Sequence, residues 1–356
     1  MSSVNASNSK EWPQHIVNIY TGFQQSQALF VTTELELYDL LENNGRMTAF
    51  EIACKKNINL DATKRLLDFA AGLKLIRKED GSDPAIYSNI PEVADALQAS
   101  KPNNMVAAVL HASRIQYPLF QNLRTVIKDG NNTQAYKNAF GFEVTSETFD
   151  SLYSSDQDYS TIFLQFMHDL SSITAPGVAK SFDLSPFRRI CDLGGGSGAL
   201  AYALASEYPD ASVTVFDLHS AIESAQKIRT EKTKMLKVDF IAGDFFKDDF
   251  PQANLYTFGR IIHDWEEDKV HQLLEKAFHS LESGGAVLIV ELLLNETKTG
   301  PLHVLRANVQ MLTEMSGRER TEEEYRQLLD QHGFVNFRCQ FVMGYSSMHA
   351  MIAYKP

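Results

Sequence analysis

The run Asp192-Leu193-Gly194-Gly195-Gly196-Ser197-Gly198 has the residue types of a ligand cradle. It closes an apolar, strand-like stretch (Arg188 to Leu193) and opens a helix-like one (Ala199 to Tyr208). Glycines at 194, 196 and 198 permit backbone angles that a Cβ forbids and let a ligand lie on the main chain. The following helix offers unpaired N–H groups and a positive dipole end to an acidic ligand group. Asp217 ends the next apolar run (Ser212 to Leu218), about 20 residues on, where a ribose diol is commonly held. Together these residues describe a nucleoside site. Further on, Arg260-Ile261-Ile262-His263-Asp264-Trp265 ends a fourth strand-like run and enters a helix-like stretch, Glu266 to Leu281. His263 thus stands at the carboxyl end of a strand, where open α/β sheets bind ligands.

The turn leaves two nucleosides open. Gly194-x-Gly196-x-x-Ala199 satisfies the dinucleotide pattern, which keeps NAD as a competitor. Three features favour S-adenosylmethionine (SAM). Asp192 precedes the glycines and suits a ligand bearing an ammonium and a sulfonium, whereas it would repel a pyrophosphate. Gly243-Asp244-Phe245-Phe246 follows the third strand-like run, where an adenine can stack and be hydrogen-bonded. The chain also ends in two strand-like runs joined by a short turn, an edge hairpin in place of further parallel strands.

With SAM as donor, His263 acquires a task. A neutral phenol is a poor nucleophile and its phenolate a good one. An imidazole within hydrogen-bond reach can take the proton as the new C–O bond forms. A carboxylate on its other nitrogen would fix the tautomer and stabilise the imidazolium. Glu291, inside an apolar strand, and Glu319, in Gly317-Arg318-Glu319-Arg320-Thr321, are the candidates. Glu291 needs a reason to be there, because burying an unpaired carboxylate is costly. Asp264 has two readings: contact with substrate, or N-cap of the helix through Asp264-Trp265-Glu266-Glu267. No H-E-x-x-H occurs, and Glu266, Glu267 and Asp268 read as a solvated first helical turn, so a catalytic metal is not expected.

The elements that must position these groups follow from the rest of the chain. Its 356 residues exceed what one core usually organises, so two domains are expected. At 44% hydrophobic and 22% charged the composition is that of a folded protein, and a formal charge of −12 argues against nucleic acid or an anionic membrane as partner. Cys54, Cys191 and Cys339 are odd in number, widely spaced and without a CxxC, which suits a reducing, cytoplasmic setting. Met1 to Lys10 lacks an apolar signal core, and Ala286 to Leu294 is interrupted by Glu291 and too short to span a bilayer.

Residues 1–112 read as a helical, winged-helix-like domain. Ile16, Ile19, Tyr20, Phe23, Leu29 and Phe30 recur at helical spacing, then Leu35, Leu37, Leu40 and Leu41. Thr48 and Glu51 predict a capping box, Asp61 a cap for a helix from Ala62 to Leu73, and Arg77 to Asn89 two short strands. DNA binding is disfavoured there: residues 1–100 carry nine Lys/Arg against thirteen Asp/Glu. Dimerisation fits better. Residues 113–356 read as the catalytic domain. A helical bridge to about 185 precedes strand-like runs at Arg188–Leu193, Ser212–Leu218, Val238–Ala242, Leu255–Ile262, Ala286–Leu293, Asn336–Val342 and His349–Tyr354. Helices lie between most of them, as in a doubly wound sheet.

At these residues the chain resembles a family. The glycine turn, Gly243-Asp244-Phe245-Phe246, His263-Asp264-Trp265, Ser283-Gly284-Gly285 and Gly317-Arg318-Glu319-Arg320-Thr321 come in the order and spacing of the plant-type small-molecule O-methyltransferases. Gly22 to Phe30, Thr33 to Leu41 and Ser181 to Phe187 look most like the animal acetylserotonin branch. The resemblance implies a class I SAM methyltransferase fold, a metal-free reaction releasing S-adenosylhomocysteine, and an intertwined homodimer. It implies His263 as general base flanked by Glu291 and Glu319. It implies Tyr153, Asp192, Gly194, Gly196, Asp217, Gly243, Asp244, Phe245 and Arg260 around SAM. Asp264, Met167, Gln310, Met311 and Glu314 would meet the acceptor, N-acetylserotonin by that likeness. Three positions depart from the branch. Thr174 stands where it usually carries Trp, and Gln310 and Glu314 where it usually carries amides. Glu314, one helical turn from Gln310, would favour a free amine over an N-acetylated one.

Overall fold

The computed structural model describes residues 12–79, 81–101, 104–142, 157–228, 233, 235–342 and 348–356, with the backbone alone at 157–160. The chain divides into two compact units, Met1–Ser113 and Arg114–Pro356.

In the first unit, α1 (Gln14–Glu34) and α2 (Leu37–Asn44) are separated where Glu36 turns left-handed at φ 51°. β1 (Met47–Thr48) leads into α3 (Ala49–Lys56), whose start carries the expected capping box: Thr48 Oγ1 accepts from Glu51 N, and Glu51 accepts from Thr48 N. The start of α4 (Leu60–Gly72) differs from expectation. Asn59 caps it, with Oδ1 accepting from Ala62 N at 3.0 Å. Asp61 already sits in the first turn and pairs with Arg65, because only Asn59 has the extended backbone that aims a side chain at the free N–H groups. β2 (Ile76–Lys78) and β3 (Ile86–Asn89) join β1 in an antiparallel sheet of order β1-β3-β2. Two short helices, α5 (Pro91–Leu97) and α6 (Val106–His111), follow. The apolar stripe of α1 divides: Ala28 and Phe30 are buried, whereas Ile16, Ile19, Tyr20 and Phe23 are each more than half exposed.

In the second unit three short helices, α7 (Tyr117–Gln121), α8 (Leu123–Asp129) and α9 (Thr133–Phe140), precede a long one, α10 (Gln157–Ala179). Strand and helix then alternate, except that β7 follows β6 directly: β4 (Arg189–Leu193), α11 (Ala199–Glu207), β5 (Ser212–Asp217), α12 (His219–Ile228), β6 (Val238–Ala242), β7 (Leu255–Gly259), α13 (Glu267–Ser280) and β8 (Ala286–Glu291). After β9 (Leu293–Leu294) come α14 (Leu302–Glu314), β10 (Arg320–Thr321), α15 (Glu322–Gln331), β11 (Val335–Val342) and β12 (Met348–Tyr354). The main sheet has the order β11-β12-β8-β7-β4-β5-β6. Its pairs from β8 through β6 are parallel. β12 runs antiparallel to both β8 and β11, so the two last strands form the expected edge hairpin. The connecting turn lies outside the described residues.

β8 is buried along its whole length, as a strand covered on both faces must be. One face packs against α10 and α11 through Leu200, Leu204, Val213, Leu288 and Ile352. The other packs against α13 and α15 through Phe258, Leu273, Ile289, Tyr325 and Met351. Cys191 is buried in β4, where burial pushes its thiol far up. Among the described residues no helix is long and apolar enough to cross a membrane.

The fourth strand is shorter than its apolar run. β7 ends at Gly259, Arg260 turns left-handed at φ 58°, and Ile262–Asp264 form a single 3₁₀ turn. The cause is Glu291. Its Oε1 accepts from the main-chain N–H of Ile261 (3.0 Å), Ile262 (2.9 Å) and His263 (3.4 Å), and so captures donors that would otherwise have extended the strand.

Candidate active site

β4 and β5 lie side by side, so their carboxyl ends bring the glycine turn to Asp217. The turn hangs on that contact: Gly194 N donates to Phe216 O at 2.8 Å, and Gly196 N donates to Asp217 Oδ2 at 2.7 Å. Asp217 Oδ1 accepts from Leu218 N at 2.7 Å. Each oxygen retains a lone pair for a diol. Burial lifts the Asp217 carboxyl to about 6 against the pull of those backbone donors. Asp192 is lifted by burial to about 7, although Thr257 Oγ1 donates to its Oδ1 at 2.5 Å.

Gly194, Gly196 and Gly198 all take positive φ, as their expected use requires. Gly195 does not, and the sequence reading passed over it. A Cβ there would stand 2.5 Å from Asp192 Oδ2, so this glycine makes room for the carboxylate. At Gly243 a Cβ would strike the Phe216 ring.

A cavity opens above the turn. Asp192, Gly194, Gly196, Asp217, Gly243, Asp244, Phe245 and Arg260 all line it, as do Met167, Thr174 and Asp264. Tyr153 lies outside the described residues. Phe245, Phe246 and Trp265 meet edge to face, with centroids 4.6 to 5.9 Å apart, and give the cavity an aromatic end.

His263, Glu291 and Glu319 do not themselves line this cavity; His263 adjoins it through its neighbour Asp264, which does, and is only 6% exposed. Its Nδ1 lies 2.9 Å from Glu319 Oε1 and 3.4 Å from Glu291 Oε2, and its Nε2 lies 3.4 Å from Asp264 Oδ1. Glu319 arrives by a separate route. β10 pairs in parallel with β9 (Arg320 opposite Leu293), which places the segment before it against the His263 turn. Gly317 makes the approach possible, because a Cβ there would collide with His263 O and the Trp265 backbone. The fully buried Arg320 donates to Ile262 O at 3.4 Å and pairs with Glu267 at 2.7 Å, fixing the same turn. Glu319 N donates to Asn308 Oδ1 on α14 at 2.9 Å.

Burial works against a charged imidazole here, but Glu291, Glu319 and Asp264 outweigh it and push His263 up to about 10. Burial and the neighbouring carboxylates lift Asp264 to about 7, although His263 pulls it down. His263, Glu291 and Glu319 offer ligand atoms within 4.8 Å of one another, the composition of a divalent-cation site. Glu291 Oε1 accepts from three amides and Nδ1 of His263 lies against Glu319 Oε1, while Oε2 of each glutamate is buried without a hydrogen-bond partner.

The capping reading of Asp264 is overturned. Glu266 is the N-cap of α13 and makes no side-chain cap bond, and Asp264 lies in the 3₁₀ turn before it, on the cavity wall. Gln310, Met311 and Glu314 do not line the glycine-turn cavity. Met311 and Glu314 are buried on α14, where Gln310 Nε2 donates to Glu314 Oε2 at 3.3 Å and the charge of Glu314 helps to lift Asp264.

A doubly wound sheet with an edge hairpin, a glycine turn facing acidic residues, and a buried imidazole among carboxylates define a nucleoside-dependent group-transfer enzyme. The O-methyltransferase domain model matches residues 120–335, and the O-methyltransferase dimerisation domain model matches residues 17–100. The chain belongs to the O-methyltransferase family and has the class I fold of the SAM-dependent methyltransferases. It is 34% identical over 332 residues to human acetylserotonin O-methyltransferase, spanning 93% of this chain and 95% of that protein. It is 35% identical over 323 residues to a human probable bifunctional dTTP/UTP pyrophosphatase/methyltransferase protein, 91% of this chain but only 51% of that longer relative. The crystal structure of human N-acetylserotonin methyltransferase in complex with SAM superposes with a TM-score of 0.88 at 32% identity, covering 98% of this chain and 99% of that one.

Proposed function

We propose that SAM lies over the glycine turn and gives its methyl group to the hydroxyl of a small aromatic acceptor, with His263 receiving the proton. The acceptor oxygen bonds to the methyl carbon as the C–S bond breaks. The electron pair returns to sulfur, leaving S-adenosylhomocysteine, and the hydroxyl proton passes to Nε2. The observation that carries this reading is the imidazole set among three carboxylates beside the cavity. Those carboxylates raise its proton affinity to about 10, the range of a phenol, so that transfer between the two is close to thermoneutral. In this reading Asp192 balances the charge of SAM, Asp217 takes the ribose, and Asp244 and Phe245 take the adenine. Arg260 completes that shell, and Asp264 meets the acceptor.

For the acceptor we propose N-acetylserotonin, yielding melatonin. The support is the named activity of relatives that align over nearly the whole chain. One observation favours a second reading, a free-amine hydroxyindole such as serotonin: a carboxylate, Glu314, is buried on α14 close enough to Asp264 to raise its pKa. Turnover of serotonin and of N-acetylserotonin by wild type and Glu314→Gln decides between them. A preference for the acetylated compound that the substitution leaves unchanged removes the second reading. For the chemistry, SAM consumption should fall by roughly 10²- to 10⁴-fold in His263→Ala with SAM binding retained. A mutant as fast as wild type ends the assignment. We further propose a homodimer in which a second copy covers the exposed Ile16, Ile19, Tyr20 and Phe23 of α1.

A further inference from the structure

α10 forms one wall of the cavity, with Leu164, Met167, Ser171, Thr174 and Val178 along its inner face. On the same helix His168 reaches sideways to the glycine turn. Its Nδ1 lies 2.7 Å from Oγ of Ser197, and its Nε2 lies 3.3 Å from Oγ of Ser172, one turn along. Ser197 is buried, lines the cavity, and stands between Gly196 at φ +53° and Gly198 at φ +84°. The turn is therefore pinned on two sides, by Asp217 on Gly196 N from the sheet and by His168 on Ser197 from the wall helix. Between them lies the stretch of backbone that must keep its shape for a ligand to rest on it.

We propose that His168 is a positioning residue for the cofactor: by holding the Ser197 hydroxyl it locks the glycine turn to α10 and so sets the affinity for SAM. The proposal rests on the reading that this cavity holds SAM. His168 acts through Ser197, away from the reacting atoms. A hydroxyl both gives and accepts a hydrogen bond, so either neutral tautomer of the ring satisfies both serines. Burial holds the imidazole below its ordinary pKa, which keeps it neutral in this role.

The test is calorimetric titration of SAM into the full chain, paired with steady-state kinetics. His168→Ala should raise the Kd and KM for SAM roughly three- to tenfold, the weight of one neutral hydrogen bond, and leave kcat at saturating SAM unchanged. His168→Asn places an amide near the position of Nδ1 and should recover wild-type affinity. His168→Gln places it near Nε2, keeps only the Ser172 contact, and should behave as alanine does. In a double-mutant cycle His168→Ala and Ser197→Ala should be non-additive. Wild-type affinity in His168→Ala, an Asn variant no better than Gln, or additive losses would each overturn the proposal. Asp217→Asn is the separate control. If it leaves SAM binding intact, the cavity reading itself fails, whatever the histidine variants do.

Discussion

Nδ1 of His263 stands 2.9 Å from Oε1 of Glu319, with both side chains shut off from water. The two residues are 56 positions apart. Their contact sets the pH at which the imidazole can accept a proton. Because the carboxylates raise its pKa to about 10, the neutral imidazole becomes more abundant as pH rises from 7 towards 10, and kcat/KM should climb over that window. Glu319→Gln removes one charge and should move the midpoint to lower pH by roughly one unit. The linked stability has a definite sign. A raised histidine pKa stabilises the fold fully below the unfolded value near 6.5, and that contribution fades as pH rises through about 10. The fall in melting temperature between pH 7 and 10 should therefore be shallower in Glu319→Gln. A pH–rate profile with an unmoved midpoint would refute the coupling.

Asp192 gives the cofactor a pH dependence of its own. Burial lifts its carboxyl to about 7. A cationic ligand binds the ionised form, so affinity for SAM should fall by roughly tenfold between pH 8 and pH 6, with proton release on binding. Calorimetry in buffers of different ionisation enthalpy measures both quantities, and binding without proton release would contradict the assignment.

Asp264 separates catalysis from stability. It does not cap α13, so Asp264→Ala should escape the loss of about 1 kcal/mol that removal of a cap brings, while kcat/KM for the acceptor drops. Thermal melts and kinetics on the same preparation check this. A large fall in melting temperature would return Asp264 to a structural role.

Gly317 lets the segment before β10 close on the backbone from His263 to Trp265. A methyl group in Gly317→Ala meets His263 O and must push the 3₁₀ turn away. We expect kcat to fall at least tenfold with the Kd for SAM held near wild type. Loss of SAM binding instead would mean that the two halves of the site are mechanically joined.

The exposed apolar stretch of α1 is the place to break the dimer. Ile19→Glu together with Phe23→Glu should shift the protein to monomer in analytical ultracentrifugation, because charge would replace apolar surface at the contact. An unchanged sedimentation coefficient would place the interface elsewhere.

Much of this was legible in the chain itself. The glycine turn, the strands on either side of it and the closing hairpin are local patterns, in which periodicity and turn residues act over a few positions. Thr48 and Glu51 announced their capping box for the same reason. Errors arose where a distant group intervened. The run from Leu255 to Ile262 reads as one strand until Glu291, about 30 residues on, takes its last amides. Asp264 reads as a cap until the helix begins two residues later than its own pattern allows.

The sequence by itself determined the class of fold, the nucleoside turn and the histidine at the end of a strand, because each is encoded by neighbouring residues. The sequence also named Glu291 and Glu319 as its candidate partners, and tertiary structure decided which of their atoms meet it and at what distance. The spacing of Gly317 to His263 and of His168 to Ser197 is set by how strands and helices stack. Those distances depend on packing between segments far apart in the chain, which no local pattern records.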